Sequence, residues 1–217
     1  MPQKTNEREY RRIDVANLET RTEDDGQMIV EGYAATFNQP YLLASYPDFE
    51  LREQIDPHAF DKTDMDDVIM QYDHEGRVFA RKRNGTLNVQ PDEHGLRIRA
   101  RLDGTTIGRQ LYEEIKGGYT DRMSFGFTVE VGAERRDESV DPDTQRVKVL
   151  RTITGIRKLY DVSAVSLPAN DATEISARTL GEGVHAEVME ERRVREERMR
   201  KIRKIKILME VQSHEND

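Results

Sequence analysis

Apolar residues recur at every second position through much of the chain, the period of a half-buried β-strand. Leu96, Ile98, Ala100 and Leu102 alternate with Arg97, Arg99 and Arg101, which predicts one apolar face and one wet basic face. Met28 to Phe37 reads as a strand, with Gly32 marking a bulge or a close backbone approach. Val68 to Tyr72, Thr86 to Val89, Met123 to Val131, Val147 to Ile156 and Asp161 to Leu167 extend the β pattern, and Pro168 ends it. Strand character is thin from Tyr10 to Leu18, a turn falls at Glu23 to Gly26, and Glu134 to Gln145 reads as a polar hairpin loop.

Two helices interrupt the strands. Ile107, Leu111 and Ile115 recur every four residues, Thr105 or Thr106 can cap the start, and Gly117-Gly118 ends the run. A shorter helix is expected to open at Asp56 with Pro57 at its first position. Many short strands with a few interposed helices predict an α+β fold, mainly antiparallel, of barrel or sandwich type.

The pattern changes after about residue 178. Residues 187–210 are dense in Glu, Arg and Lys, with Val188, Val194, Met199, Ile202, Ile205 and Met209 fitting one helical stripe in the second half. The segment from Lys204 to Ile207 also reads as an alternating strand. The expected organisation is a loose terminus over residues 1–8, a folded domain over 9–177 and a charged helical arm over 178–217.

Composition removes whole classes of chemistry. The chain has 217 residues and no cysteine, which excludes disulfide scaffolds, thiol nucleophiles and thiolate zinc sites. No phosphate-cradling, dinucleotide-binding, zincin or nucleophile-elbow motif occurs, and no apolar run is long enough to span a membrane. Asp56, His58, Asp73, His74 and Glu75 are metal-capable, but their spacing matches no metal pattern, so neither metal nor cofactor is expected. The net charge is −8, and residues 187–206 carry nine basic against five acidic side chains. The remaining chain therefore carries about −12 and is not built to coat nucleic acid. A cytoplasmic setting is expected.

Three stretches carry candidate chemistry. Val68 to Gly76 runs a strand into a turn that ends in His74, and histidine is well suited to exchange protons near neutral pH. In Asp121 to Phe127, alternation puts Met123, Phe125 and Phe127 on one face and Ser124 and Gly126 on the other. Ser124 is then held firmly on a strand, away from the apolar face, as a nucleophile requires. The third stretch, Leu159 to Asn170, places Asp161 at the head of a strand, where a carboxylate can orient a histidine. Taken singly, each also fits an ordinary surface residue.

Together and in this order, these segments resemble the phage prohead protease family, the head-maturation serine proteases of tailed phages. The matching stretches are GYAATFN (Gly32 to Asn38), IDPHAF (Ile55 to Phe60), YDHEG, MSFGF and DVSAVSLPAN, with a Gly95-Leu96 turn before a strand. The resemblance implies a closed or nearly closed β-barrel wrapped by helices, like that of the herpesvirus assembly protease. It implies Ser124 as nucleophile and His74 as general base. In the herpesvirus enzymes the third member is a second histidine, but no histidine lies between Ser124 and His185, and His58 and His94 do not fit the role. Asp161 matches an acidic position of the family's last core box and takes the role. The Leu167 to Asn170 loop is a candidate source of oxyanion donors.

The resemblance further implies a protease packaged inside the immature head in the host cytoplasm. There it cuts the scaffolding region of the major capsid protein, and itself, before DNA enters; the portal and further copies of the chain are additional partners. The charged arm is expected to recruit the enzyme to the helical scaffolding region. The main rival is a non-enzymatic scaffolding protein, and a weaker one is an esterase using the same serine and histidine.

Overall fold

The computed structural model describes residues 8–13, 18–166 and 171–214. Contacts divide the chain into two units, Met1–Arg178 and Thr179–Asp217. The first unit is mostly β-sheet, and each sheet collects strands that are distant in sequence.

The sheet that carries the candidate residues has five strands. In spatial order they are β1 (Glu9–Ile13), β10 (Arg122–Val129), β13 (Ile156–Val165), β6 (Ile69–Tyr72) and β7 (Glu75–Arg81). A second sheet orders β11 (Glu134–Val140), β12 (Val147–Ile153), β5 (Phe49–Ile55) and β4 (Tyr41–Tyr46). The third orders β2 (Glu19–Thr22), β3 (Met28–Thr36), β9 (Gly95–Arg101) and β8 (Leu87–Pro91). Pairing is antiparallel except for β12 with β5 and β13 with β6. One core joins all three sheets, with Val30, Leu96, Ile98, Ile55, Ile153, Met70, Phe125 and Val162 packed together and buried.

The α+β class stands, but the closed barrel does not. Each sheet ends in two edge strands instead of wrapping onto another. Alternation assigns a strand its faces, not its neighbours, and several edge segments (ETRT, EGRVFAR, ERRDESV) are charged or polar enough to face water unpaired.

Several expected elements are reproduced. β9 buries Leu96, Ile98 and Ala100 and leaves its arginines outside, where Arg99 pairs with Glu23 at 2.7 Å and Glu31 at 3.1 Å. Helix α1 (Thr106–Lys116) buries Leu111, Tyr112 and Ile115, and Thr105 caps it by accepting a hydrogen bond from the Gly108 amide.

Three local expectations are corrected. The helix expected at Asp56 is a run of turns, held by bonds from the Ala59, Asp61 and Thr63 amides to carbonyls three residues back. The bulge in β3 lies between Tyr33 and Ala35, just past Gly32. Residues 134–140 form β11, a polar edge strand whose Glu134 meets Arg151 of β12. Of the two readings of Lys204 to Ile207, the helical one holds, within α2 (Asp171–His214). In that second unit Val194, Met199, Ile205 and Met209 are exposed. Among the described residues no helix is long and apolar enough to cross a membrane.

Candidate active site

Ser124 lies on β10, between β1 and β13. Across the β10–β13 ladder Ser124 faces Ser163 and Gly126 faces Asp161, so these four residues share one face. The face is not wet, as the alternation predicted, because Ser124, Asp161 and Ser163 are all 0% exposed. Covering groups come from elsewhere in the chain, which periodicity within β10 cannot report.

His74 arrives from the turn between β6 and β7. Both turn residues have positive φ, 48° at Asp73 and 61° at His74, as a tight two-residue hairpin requires. Non-glycine residues pay for that conformation, and here β13 holds it. The Asp73 amide donates to the Ala164 carbonyl at 3.0 Å, and the Ser166 amide and hydroxyl both donate to the Asp73 carboxylate at 3.3 Å. The turn thereby brings the imidazole over the β10–β13 face with its side chain 2% exposed.

The three sequence-predicted residues meet there. His74 Nε2 lies 2.5 Å from Ser124 Oγ, and Nδ1 lies 2.5 Å from Asp161 Oδ1. An ionised carboxylate only accepts, so Nδ1 carries a proton toward Asp161 and Nε2 is left to accept from the serine. Ser163 Oγ donates to Asp161 Oδ1 at 3.2 Å and helps fix the carboxylate. The other candidate histidines lie elsewhere: His58 is exposed beside Asp61, and His94 is exposed beside Glu93. Among the described residues no group of three or more His, Cys, Asp or Glu is arranged to hold a metal. The Leu167 to Asn170 loop, considered for oxyanion donors, lies outside the described residues.

Residues that sequence reading missed come from β1 and the strands beneath it. Arg8 pairs with Asp161 Oδ2 and lies over the rings of Tyr10 and Tyr160. The Tyr10 ring sits 4.5 Å from the His74 ring, and the Arg11 carbonyl oxygen lies 2.9 Å from Ser124 Oγ as a second acceptor. On the other face of β1, Arg11 is buried against Glu53 of β5, which also accepts from Arg151 and from the Tyr41 hydroxyl. Burial alone would raise the Glu53 carboxyl, but the Arg11 and Arg151 charges outweigh it and hold the group at about 2. In sequence this cluster shows only as a Glu on the apolar face of FELREQI, in line with Phe49, Leu51 and Ile55, and that does not name its partners.

A protein-family model described as the caudovirus prohead serine protease matches residues 16–186. The chain belongs to that family. It is therefore a protease of phage capsid maturation. No curated protein matches this prohead protease. Among solved structures, it is similar to the bacteriophage T4 capsid assembly protease, gp21, at 12% identity and a TM-score of 0.39. That likeness covers 75% of this chain and 100% of the other.

Proposed function

We propose that this prohead protease is a serine endopeptidase with Ser124 as nucleophile, His74 as general base and Asp161 as the acid that orients it. The observation carrying this reading is the unbroken hydrogen-bonded chain from Ser124 Oγ through both imidazole nitrogens to Asp161. Side chains that are 50 and 87 residues apart in sequence line up in the order this chemistry needs.

In this mechanism neutral His74 takes the Ser124 proton as Oγ attacks a peptide carbonyl carbon. Asp161 holds the Nδ1–H tautomer and stabilises the imidazolium that forms. Collapse of the tetrahedral intermediate returns the proton to the departing amine, and a water repeats the cycle on the acyl ester.

The substrates are the scaffolding region of the major capsid protein and the protease itself, inside the immature head in the host cytoplasm. The charged helix beyond the matched residues recruits the enzyme to that scaffolding region. Co-expression with the capsid protein, followed by mass spectrometry, tests this function. Shortened capsid protein with the wild type, and intact capsid protein with Ser124→Ala, is the expected result. Equal processing by both removes Ser124 from the mechanism.

A further inference from the structure

Strand β1 lies antiparallel along the strand that carries Ser124, with Arg12 opposite Ser124 and Arg11 opposite Phe125. The carbonyl that Ser124 Oγ reaches is that of Arg11, at 2.9 Å. The nucleophile's proton therefore faces two acceptors, His74 Nε2 and a peptide carbonyl of its own chain.

The side chain of the same residue enters a built pocket. Arg11 is 1% exposed, and its guanidinium meets Glu53 through two bonds, Nε to Oε1 at 2.6 Å and Nη2 to Oε2 at 3.2 Å. The Glu53 carboxylate is fixed from behind by the Tyr41 hydroxyl at 2.6 Å and by Arg151 Nη1 at 2.5 Å. The Phe127 ring forms another wall, 5.7 Å from the guanidinium. A planar cation held in two places by a buried carboxylate is recognised by geometry as well as by charge.

We infer that β1 is held as a substrate of its own site, with the Arg11–Arg12 peptide bond presented to Ser124 and Glu53 selecting a basic residue before the scissile bond. The inference rests on Ser124 being the nucleophile and adds the bond and the specificity. Attack joins Ser124 Oγ to the Arg11 carbonyl carbon while the Oγ proton passes to His74 Nε2. Collapse breaks the bond between the Arg11 carbonyl carbon and the Arg12 nitrogen, which takes that proton. Water then cleaves the ester, leaving a carboxylate on Arg11 and restoring the Ser124 hydroxyl.

Until that cut the segment also plugs the site. Arg8 occupies one oxygen of Asp161, and Tyr10 packs on His74. Release of residues 1–11 frees both groups and vacates the Glu53 pocket for basic residues of other chains.

The test uses the full-length chain. Wild type and Ser124→Ala are incubated and read by intact mass and N-terminal sequencing. The wild type is expected to lose residues 1–11 and expose Arg12 as its N-terminus, while Ser124→Ala stays whole. Arg11→Gln should slow that cut by about 100-fold, because a site built to bind a polar side chain strongly rejects one lacking its key groups. Peptides differing only in the residue before the scissile bond should rank Arg and Lys above Gln, Leu and Glu. Glu53→Gln should lower the Arg-over-Gln ratio of kcat/KM about tenfold or more. Should Glu53→Gln fail to fold, the wild-type peptide ranking and Arg11→Gln still decide the matter. A wild type that processes capsid protein yet keeps its N-terminus, cuts another bond there, or shows no basic preference overturns this inference alone. Absence of any Ser124-dependent cleavage overturns the proposed function beneath it.

Discussion

Gly126 pairs with Asp161 across the β10–β13 ladder, and a methyl group at Gly126 would lie 2.5 Å from Asp161 Oδ2. Asp161 is buried and its side chain is short, so it has little room to yield. The same methyl would lie 2.8 Å from Arg8 Nε, but that group ends a flexible side chain and can move. The glycine beside Ser124 thus makes space for the carboxylate that meets His74. Gly126→Ala should leave the fold in place and lower peptide cleavage by about 100-fold, the cost of misplacing a catalytic group by about 1 Å. Circular dichroism with kinetics checks it; unchanged kcat shows that the carboxylate does not need this space.

Ser124→Ala and His74→Ala should each reduce cleavage by about 10⁴-fold or more, with the double variant no worse than the poorer single one. Members of a relay fail together, since each step needs the whole chain. Single-turnover rates on a capsid-derived peptide give the comparison. A double variant far below both singles would mean that the two residues act separately.

Asp161→Asn keeps the shape but removes the charge that faces His74 Nδ1 and that the proposed mechanism uses to orient it. It should be costly and milder than loss of the serine, with kcat falling more than KM rises. Because Arg8 also pairs with Asp161, the variant should loosen the N-terminal segment as well. Hydrogen exchange at residues 8–13, compared with and without Asp161→Asn in the uncut Ser124→Ala chain, reads that second effect, and unchanged exchange would separate Arg8 from Asp161 in energetic terms.

Acid should destabilise the protein through Glu53. Its carboxyl stands at about 2 in the folded chain against an ordinary 4.5, so its ion pairs stabilise the fold above about pH 4.5. As pH falls through about 2 that contribution, about 3 kcal/mol, is lost and two buried guanidinium groups remain beside a neutral acid. Chemical unfolding of the uncut Ser124→Ala chain between about pH 6 and 2 should show the loss. Glu53→Gln should be weaker at neutral pH and have a shallower acid limb; an identical acid limb would shift the effect to other carboxylates.

Removing the residues after 186, where the family match ends, should leave cleavage of short peptides largely intact and reduce the copies packaged in immature heads. The excess of basic residues over 187–206 should make binding to the scaffolding region salt-sensitive. Counting protease copies in purified heads tests it, and unchanged packaging would end the recruitment role.

Local pattern was sufficient for those parts whose stability is local. The alternation of Leu96, Ile98 and Ala100 announces β9, the four-residue recurrence of Leu111 and Ile115 announces α1, and Thr105 is a capping residue by type and position. Ser124, His74 and Asp161 were legible as residues because each stands in a distinctive short segment. Their meeting was not legible, since it depends on β13 pairing with both β10 and β6 and on a turn whose strain is balanced by contacts to β13. The same reason explains the misread elements. Residues 134–140 look like a loop until they pair with β12 and Glu134 meets Arg151, and Ser124 looks solvated until the β6–β7 turn brings His74 onto it. Glu53 carries least information of all in sequence, because a buried charge is tolerable only when partners from distant strands enclose it, and only the tertiary structure decides which partners those are.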